Sequence, residues 1–237
     1  GYYAGLKNST ASGNSFFGIC AGYLTTTGVS NVAIGGNSLD ANTTGACNVA
    51  VGAGAMGLST TDQNTGIGYE ALCDLTTGTC NVGVGFRGGR ITSTGINNAS
   101  FGYDSQPSAF GANNQITLGN SNNTNLRCAD TSISTLSDLR DKTNVEDIPH
   151  GLDYINALRP VKFDWNTRDG SRIGKKDYGF IAQELDQVEQ DFNSAEYTRL
   201  VHKDNPEKWE ADVMKTYPIL IKAIQELTAR VKELEDG

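Results

Sequence analysis

Charge is nearly missing from the first part of this 237-residue chain: residues 1–136 hold ten Asp, Glu, Lys or Arg side chains, whereas residues 137–237 hold 36. The first part also lacks histidine and tryptophan, and no pair of carboxylates recurs in it, so a glycosidase acid/base pair has no residues to stand on. No stretch approaches 18 apolar residues, which argues against a membrane-inserted helix. No basic cluster interrupts the net charge of −8, divided as −2 before residue 137 and −6 after it, so nucleic acid and anionic membranes are not expected partners. The start, Gly1-Tyr2-Tyr3-Ala4-Gly5, has neither an initiator Met nor the form of a signal peptide, and reads as a piece of something longer. None of the five cysteines (20, 47, 73, 80, 128) falls in a Cys-x-x-Cys pair, so they read as reduced, small apolar fillers. No metal site and no cofactor is expected.

What the first part does have is glycine, 23 of the chain's 28, at regular spacing. Aligned on Asn-x-x-Ile/Val-Gly, the chain repeats as NSFFG (14–18), NVAIG (31–35), NVAVG (48–52), NTGIG (64–68), NVGVG (81–85) and NASFG (98–102), and QITLG (115–119) continues the series. The period is 17 with one step of 16. Short β-prone runs punctuated by turns such as Thr26-Thr27-Gly28 predict one strand-and-turn module per repeat, stacked as a solenoid or roll. Alternation puts Val32 and Ile34 on one face and Ala33 on the other, and so short a strand needs stacked neighbours or neighbouring chains to cover its apolar face. The recurring Asn at one register suits a side-chain ladder, and the recurring Gly suits positive φ or close backbone approach.

Composition changes at residues 135–148, which marks a boundary. The sequence divides into a repeat array at 1–119, a linker at 120–136 with one short strand expected around 131–136, and a charged α+β domain at 137–237. Read from its own residues, Ser137-Asp138 is a helix N-cap or turn start. Further on, Leu152, Ile155 and Leu158 share a helical face ended by Pro160. Residues 161–165 and 178–181 read as paired strands, and Ala182 to Val188 reads as a helix. In the last helix Tyr217, Ile224 and Val231 alternate with Leu220, Leu227 and Leu234 as a and d positions of three heptads. β-branched a residues with Leu at d favour two strands in parallel coils.

The string Ser137-Asp138-Leu139-Arg140-Asp141-Lys142, followed by LDYINALRPVKFDW and GFIAQEL, resembles the C-terminal intramolecular-chaperone auto-processing domain of phage tail fibres and tailspikes. The array in turn resembles the β-roll head of trimeric autotransporter adhesins. The first resemblance implies a homotrimer and a single-turnover serine autopeptidase in which Ser137 cuts the Leu136–Ser137 bond and Lys142 acts as base. A serine hydroxyl needs a base, and lysine serves only when burial or nearby cations lower its pKa. Arg140 would favour that; Asp138 and Asp141 would oppose it. Arg140 is also placed to donate to the carbonyl of residue 136, with an ion pair to Asp138 or Asp141 as the plainer reading, and His150, in a Pro-His-Gly turn, is a candidate supporting group.

The expected fold is therefore a trimeric β-solenoid or β-roll array followed by a small α+β domain ending in a long coiled-coil helix. The expected function is the C-terminal part of a virion tail fibre or adhesin, with a host-surface glycan or receptor as a further partner. The other reading is a non-enzymatic adhesion shaft whose C-terminal domain trimerises it without cutting.

Overall fold

The computed structural model describes residues 1–123, 125–130 and 132–237. They form two compact units, Gly1–Thr124 and Asn125–Gly237.

The first unit is a parallel β-solenoid. Strands β1 (Ser15–Phe17), β2 (Val32–Ile34), β3 (Val49–Val51), β4 (Thr65–Ile67), β5 (Val82–Val84), β6 (Ala99–Phe101) and β7 (Ile116–Leu118) lie side by side in sequence order in one sheet. Ser15 pairs with Val32, an offset of 17, and Val49 pairs with Thr65, the single offset of 16. The shorter turn costs no register.

Alternation along each strand has the direction that a narrow interior demands. Ala33 and Ala50 are fully buried, while Ile34 is 44% exposed and Phe17 76% exposed. In β2 to β5 the middle residue is small because a bulky residue from the far side of the coil fills the same space; in β1 the sizes are exchanged, with Phe16 in the middle and Gly22 facing it, where a Cβ would sit 2.5 Å from the ring. A Cβ on Gly66 would sit 2.9 Å from Met56 Cγ, and one on Gly83 would sit 2.8 Å from Leu72 Cγ. Leu39, Met56 and Leu72 reach inward from left-handed turn positions. Stacking within one chain therefore leaves the branched and aromatic outer rows uncovered. The glycine after each strand is also required: Gly68 has φ of 134°, and a Cβ there would lie 2.2 Å from the carbonyl oxygen of Gly85.

Asparagine closes the stack. Asn31, Asn48, Asn64 and Asn81 are fully buried. The backbone N–H of Asn48 donates to Asn31 Oδ1 at 2.9 Å, that of Asn64 to Asn48 Oδ1 at 2.9 Å, and that of Asn81 to Asn64 Oδ1 at 2.9 Å. Each amide also donates across the coil, as Asn31 Nδ2 does to the Gly45 carbonyl at 2.8 Å and Asn81 Nδ2 to that of Gly95 at 2.8 Å. The ladder expected from the repeat is present, and Gln115 continues it by donating its N–H to Asn98 Oδ1 at 3.1 Å. Buried polar groups paired in this way escape the desolvation cost of an unmade hydrogen bond.

The cysteines are free thiols, and three do not pack as fillers: Cys47, Cys80 and Cys128 are exposed. Cys47 and Cys80 occupy the left-handed turn directly before a ladder asparagine, where the side chain lies outside the core. Cys73 is half-buried, and burial together with the neighbouring Asp74 pushes its thiol up to about 12, so it stays protonated at neutral pH.

In the second unit α1 (Leu152–Ala157) precedes a hairpin of β8 (Val161–Asp164) and β9 (Lys176–Gly179). Next come α2 (Ala182–Asp191), α3 (Ala195–Thr198), the pair β10 (Val201–His202) and β11 (Glu210–Ala211), and the 20-residue α4 (Tyr217–Asp236). Tyr154, Leu185, Val188, Leu200 and Ile219 form its buried core, edged by Ile148, Phe180 and Phe192. Glu189 is buried within it, and its carboxylate accepts from Thr198 Oγ1 and from the Leu200 N–H, both at 2.6 Å. No helix among the described residues is long and apolar enough to cross a membrane.

Candidate active site

The segment leading to Ser137 is extended and exposed. The expected strand is not present over 132–136, and Thr131 lies outside the described residues. A strand needs a neighbouring strand for its N–H and C=O groups, and the described part of this segment has only local side-chain partners: Asp130 Oδ1 accepts from the Ser132 N–H at 2.8 Å and Thr135 Oγ1 donates to the Leu136 carbonyl at 3.2 Å. Leu136 is 78% exposed, so the peptide bond after it is accessible.

After Ser137 the chain makes a single 3-10 turn, Leu139–Asp141. Asp138 caps it, accepting from the Arg140 N–H at 2.9 Å. This turn folds the chain back so that Lys142 reaches Ser137, and Lys142 Nζ donates to Ser137 Oγ at 2.8 Å. Both side chains are exposed.

Arg140 has a different partner from the one chemistry would ask for. Its Nε and Nη2 donate to the two oxygens of Asp138, at 3.0 and 2.7 Å. The guanidinium holds the Asp138 carboxyl below its ordinary range, and Asp138 in turn raises Arg140. In this arrangement the arginine is directed at Asp138, so its charge neither faces the Leu136 carbonyl nor stands free beside Lys142. His150 is placed elsewhere: its Nδ1 lies 3.7 Å from Asp153, and its ring meets Phe192 edge-on with centroids 5.0 Å apart.

Helix α4 presents two stripes. Ile219 and Ala223 are buried against the rest of the unit, and Glu226 on the same side accepts from the Leu152 N–H at 2.8 Å, capping α1. Gly151 makes this possible, since a Cβ there would sit 2.6 Å from the Glu226 carboxylate. At 3.6 residues per turn the heptad stripe lies about 100° away around the helix. All six of its side chains face outward: Tyr217 55%, Leu220 40%, Ile224 56%, Leu227 51%, Val231 45% and Leu234 83% exposed. The stripe that packs within the chain is thus a second one, Ile219–Ala223–Glu226, overlooked because the heptad signal is stronger. Its trace in the sequence is the i, i+4, i+7 spacing.

No curated protein and no solved structure gives a significant match to the chain. The model of one family, described as "Chaperone of endosialidase" and a peptidase family by name, matches residues 137–195. That stretch of the second unit is similar to an endosialidase chaperone domain, and the similarity begins at the serine to which Lys142 is hydrogen bonded.

Proposed function

We infer that residues 137–237 direct the assembly of three copies of this chain and then release themselves by cutting the Leu136–Ser137 bond. The observation that carries this reading is the 2.8 Å contact of Lys142 Nζ with Ser137 Oγ inside a segment similar to a peptidase family. As an ammonium, Lys142 only donates. Once it has lost its proton to solvent it accepts the Ser137 hydroxyl proton, and Oγ attacks the carbonyl carbon of Leu136. Collapse breaks the Leu136–Ser137 C–N bond, with the proton passing from Lys142 to the departing amine, and leaves an ester to Oγ. One water then hydrolyses the ester, giving a carboxylate on Leu136 and a free hydroxyl and amine on Ser137.

An exposed lysine is poorly suited to this task, because burial is what favours its neutral form. Ile133, Leu136, Leu139 and Val145 are all more than 60% exposed around the dyad, and α4 leaves its heptad stripe open. Neighbouring copies that cover these groups would exclude water from the dyad at the same time, so assembly and cutting are coupled. On this reading the chain is part of a virion tail fibre, the array is its shaft and host-contacting surface, and neither nucleic acid nor a membrane is a partner. The competing reading is a trimeric shaft that never cuts; the exposure of the dyad and the pairing of Arg140 with Asp138 favour it. Intact mass of freshly made protein decides between them. Self-cleavage yields pieces of 136 and 101 residues, and Ser137→Ala and Lys142→Ala stay whole. Wild-type protein that assembles yet remains whole for days at neutral pH establishes the non-cutting shaft.

A further inference from the structure

The residue after each repeat glycine forms a row along the solenoid that includes Ile19, Gly36, Ala53, Tyr69, Phe86 and Tyr103. Backbone bonds hold the row in register. Asn37 N–H donates to the Ile19 carbonyl at 2.9 Å, Glu70 N–H to that of Ala53 at 3.0 Å, and Arg87 N–H to that of Tyr69 at 2.8 Å. Three consecutive rings stack: Tyr69 on Phe86 with centroids 5.2 Å apart and planes 16° apart, and Phe86 on Tyr103 at 5.2 Å and 8°. Rings stacked this way point their faces along the solenoid axis. Phe86 has both faces covered, whereas Tyr69 has its second face toward Ala53 and Gly36, which carry almost no side chain.

The gap beyond Tyr69 is therefore built into the sequence. A Cβ on Gly36 would meet nothing closer than the Ile19 carbonyl oxygen at 4.0 Å. The adjoining row is also bare at this level, where Gly54 stands between Asn37 and Glu70. The result is a notch walled by Ile19, 61% exposed, and Tyr69, 47% exposed, and floored by Gly36 and Ala53. Three rung spacings of about 4.8 Å make it roughly 14 Å from wall to wall. Asn37, exposed at its rim, makes no side-chain hydrogen bond within the described residues, which leaves a donor and an acceptor for a ligand. Tyr69 is held in place by the stack, and the neighbouring Glu70 carboxylate is bound by Arg87 Nε at 2.7 Å.

We propose that this notch binds one or two pyranose residues of a neutral glycan, with a sugar C–H face against Tyr69 and hydroxyls on the Asn37 amide. A sugar ring offers what the notch lacks: an apolar face for an exposed aromatic face, and a rim of donors and acceptors for a free amide. A neutral ligand fits because the nearby carboxylate, Glu70, is already paired. The fixed ring lowers the ordering cost of binding. The proposal gives the host-contacting surface of the preceding section a location and a ligand class, and it does not depend on self-cleavage.

Saturation-transfer NMR on the full chain tests it, with disaccharides of glucose, galactose, N-acetylglucosamine and rhamnose at millimolar concentration as probes. At least one is expected to receive saturation at its ring protons. Tyr69→Ala should weaken it about tenfold, the worth of one aromatic contact. Ala53→Tyr should extend the ring stack into the notch and abolish binding without lowering the melting temperature, which separates loss of the site from loss of the fold. Silence from every probe, or binding that survives Ala53→Tyr, overturns the proposal. Ser137→Ala protein should bind as wild type does, so failure of the cleavage reading and failure of this one are read separately.

Discussion

The two units solve opposite problems. The array buries a polar ladder beside its small apolar core and leaves other apolar side chains out: Asn31, Asn48, Asn64 and Asn81 are sealed inside with Leu39, Met56 and Leu72, while Phe17, Ile34 and Phe101 face out. The second unit has an ordinary apolar core around Tyr154, Leu185 and Leu200, yet the longest apolar stripe it owns, along α4, is unused within the chain. In the array each ladder asparagine accepts from the N–H of the next, so the asparagine ladder is paired along its length while the outer rows stay uncovered. In the second unit the core is finished and one helix face is not. Both leave apolar surface beyond what one chain covers, and on the proposed assembly the helix gathers the copies first, since its contacts are local whereas stacking across chains is slow and aggregation-prone.

The sharpest way to break this comparison is to charge the helix face. On the proposed assembly Ile224→Asp places a carboxylate in the seam between copies, and an unpaired buried charge costs several kcal/mol, on the order of the whole stability margin. Light scattering should show monomers, and cutting at Leu136–Ser137 should stop although Ser137 and Lys142 are untouched. Orienting the dyad and the scissile carbonyl in an assembled junction supplies effective molarities of roughly 10⁵ M or more, and a lone chain forgoes them. A monomeric wild type would remove the seam, and a monomeric mutant that cuts at the wild-type rate would show that one chain completes the site.

A smaller effect is expected inside the array. Asn64→Ala leaves the buried Asn81 N–H without the acceptor it has at 2.9 Å, while the Gly78 carbonyl keeps its shorter bond from Thr61 Oγ1 at 2.6 Å. An unmade buried bond costs about 1–3 kcal/mol, so array melting should fall by several degrees while oligomer size, which the proposed assembly assigns to α4, stays constant. If Asn64→Ala melts like wild type, the ladder is decoration and the comparison loses its first half. The mildest change is Glu226→Ala, which removes the cap on α1 at a cost of about 1 kcal/mol. Glu226→Gln keeps an oxygen acceptor for the Leu152 N–H and should restore most of the loss, measured by thermal unfolding of the second unit.

Much of this was legible in the sequence because the relevant spacing is rigid. A period of 17 with Asn and Gly at fixed places leaves few solutions other than a stack with an amide ladder, and heptads in α4 mark the stripe that the chain leaves exposed. Which strand face turned inward was not legible. Alternation separates Val32 and Ile34 from Ala33 but gives no sign, and the sign is set by Leu39 and its equivalents reaching into a narrow interior from left-handed turns. The Ser137–Lys142 spacing and an ion pair for Arg140 were visible; which of Asp138 and Asp141 takes the arginine was not, because both are near enough in sequence. That Tyr69, Phe86 and Tyr103 form a column was not legible, because their stacking appears only once the rungs are in register.

The one 16-residue repeat shows how the array keeps its phase. Asn64 N–H finds Asn48 Oδ1 at 2.9 Å although a residue is missing, and Asn48 Nδ2 takes the Thr61 carbonyl at 2.6 Å, 13 residues on, where Asn31 takes that of Gly45, 14 residues on. The outer turn absorbs the deletion and the next asparagine resets the count, so an error in one unit is not inherited by its successors. A stack with this property behaves as a digital ruler: recombination between repeats can lengthen or shorten it by whole rungs, about 4.8 Å at a time, without disturbing what is attached at either end.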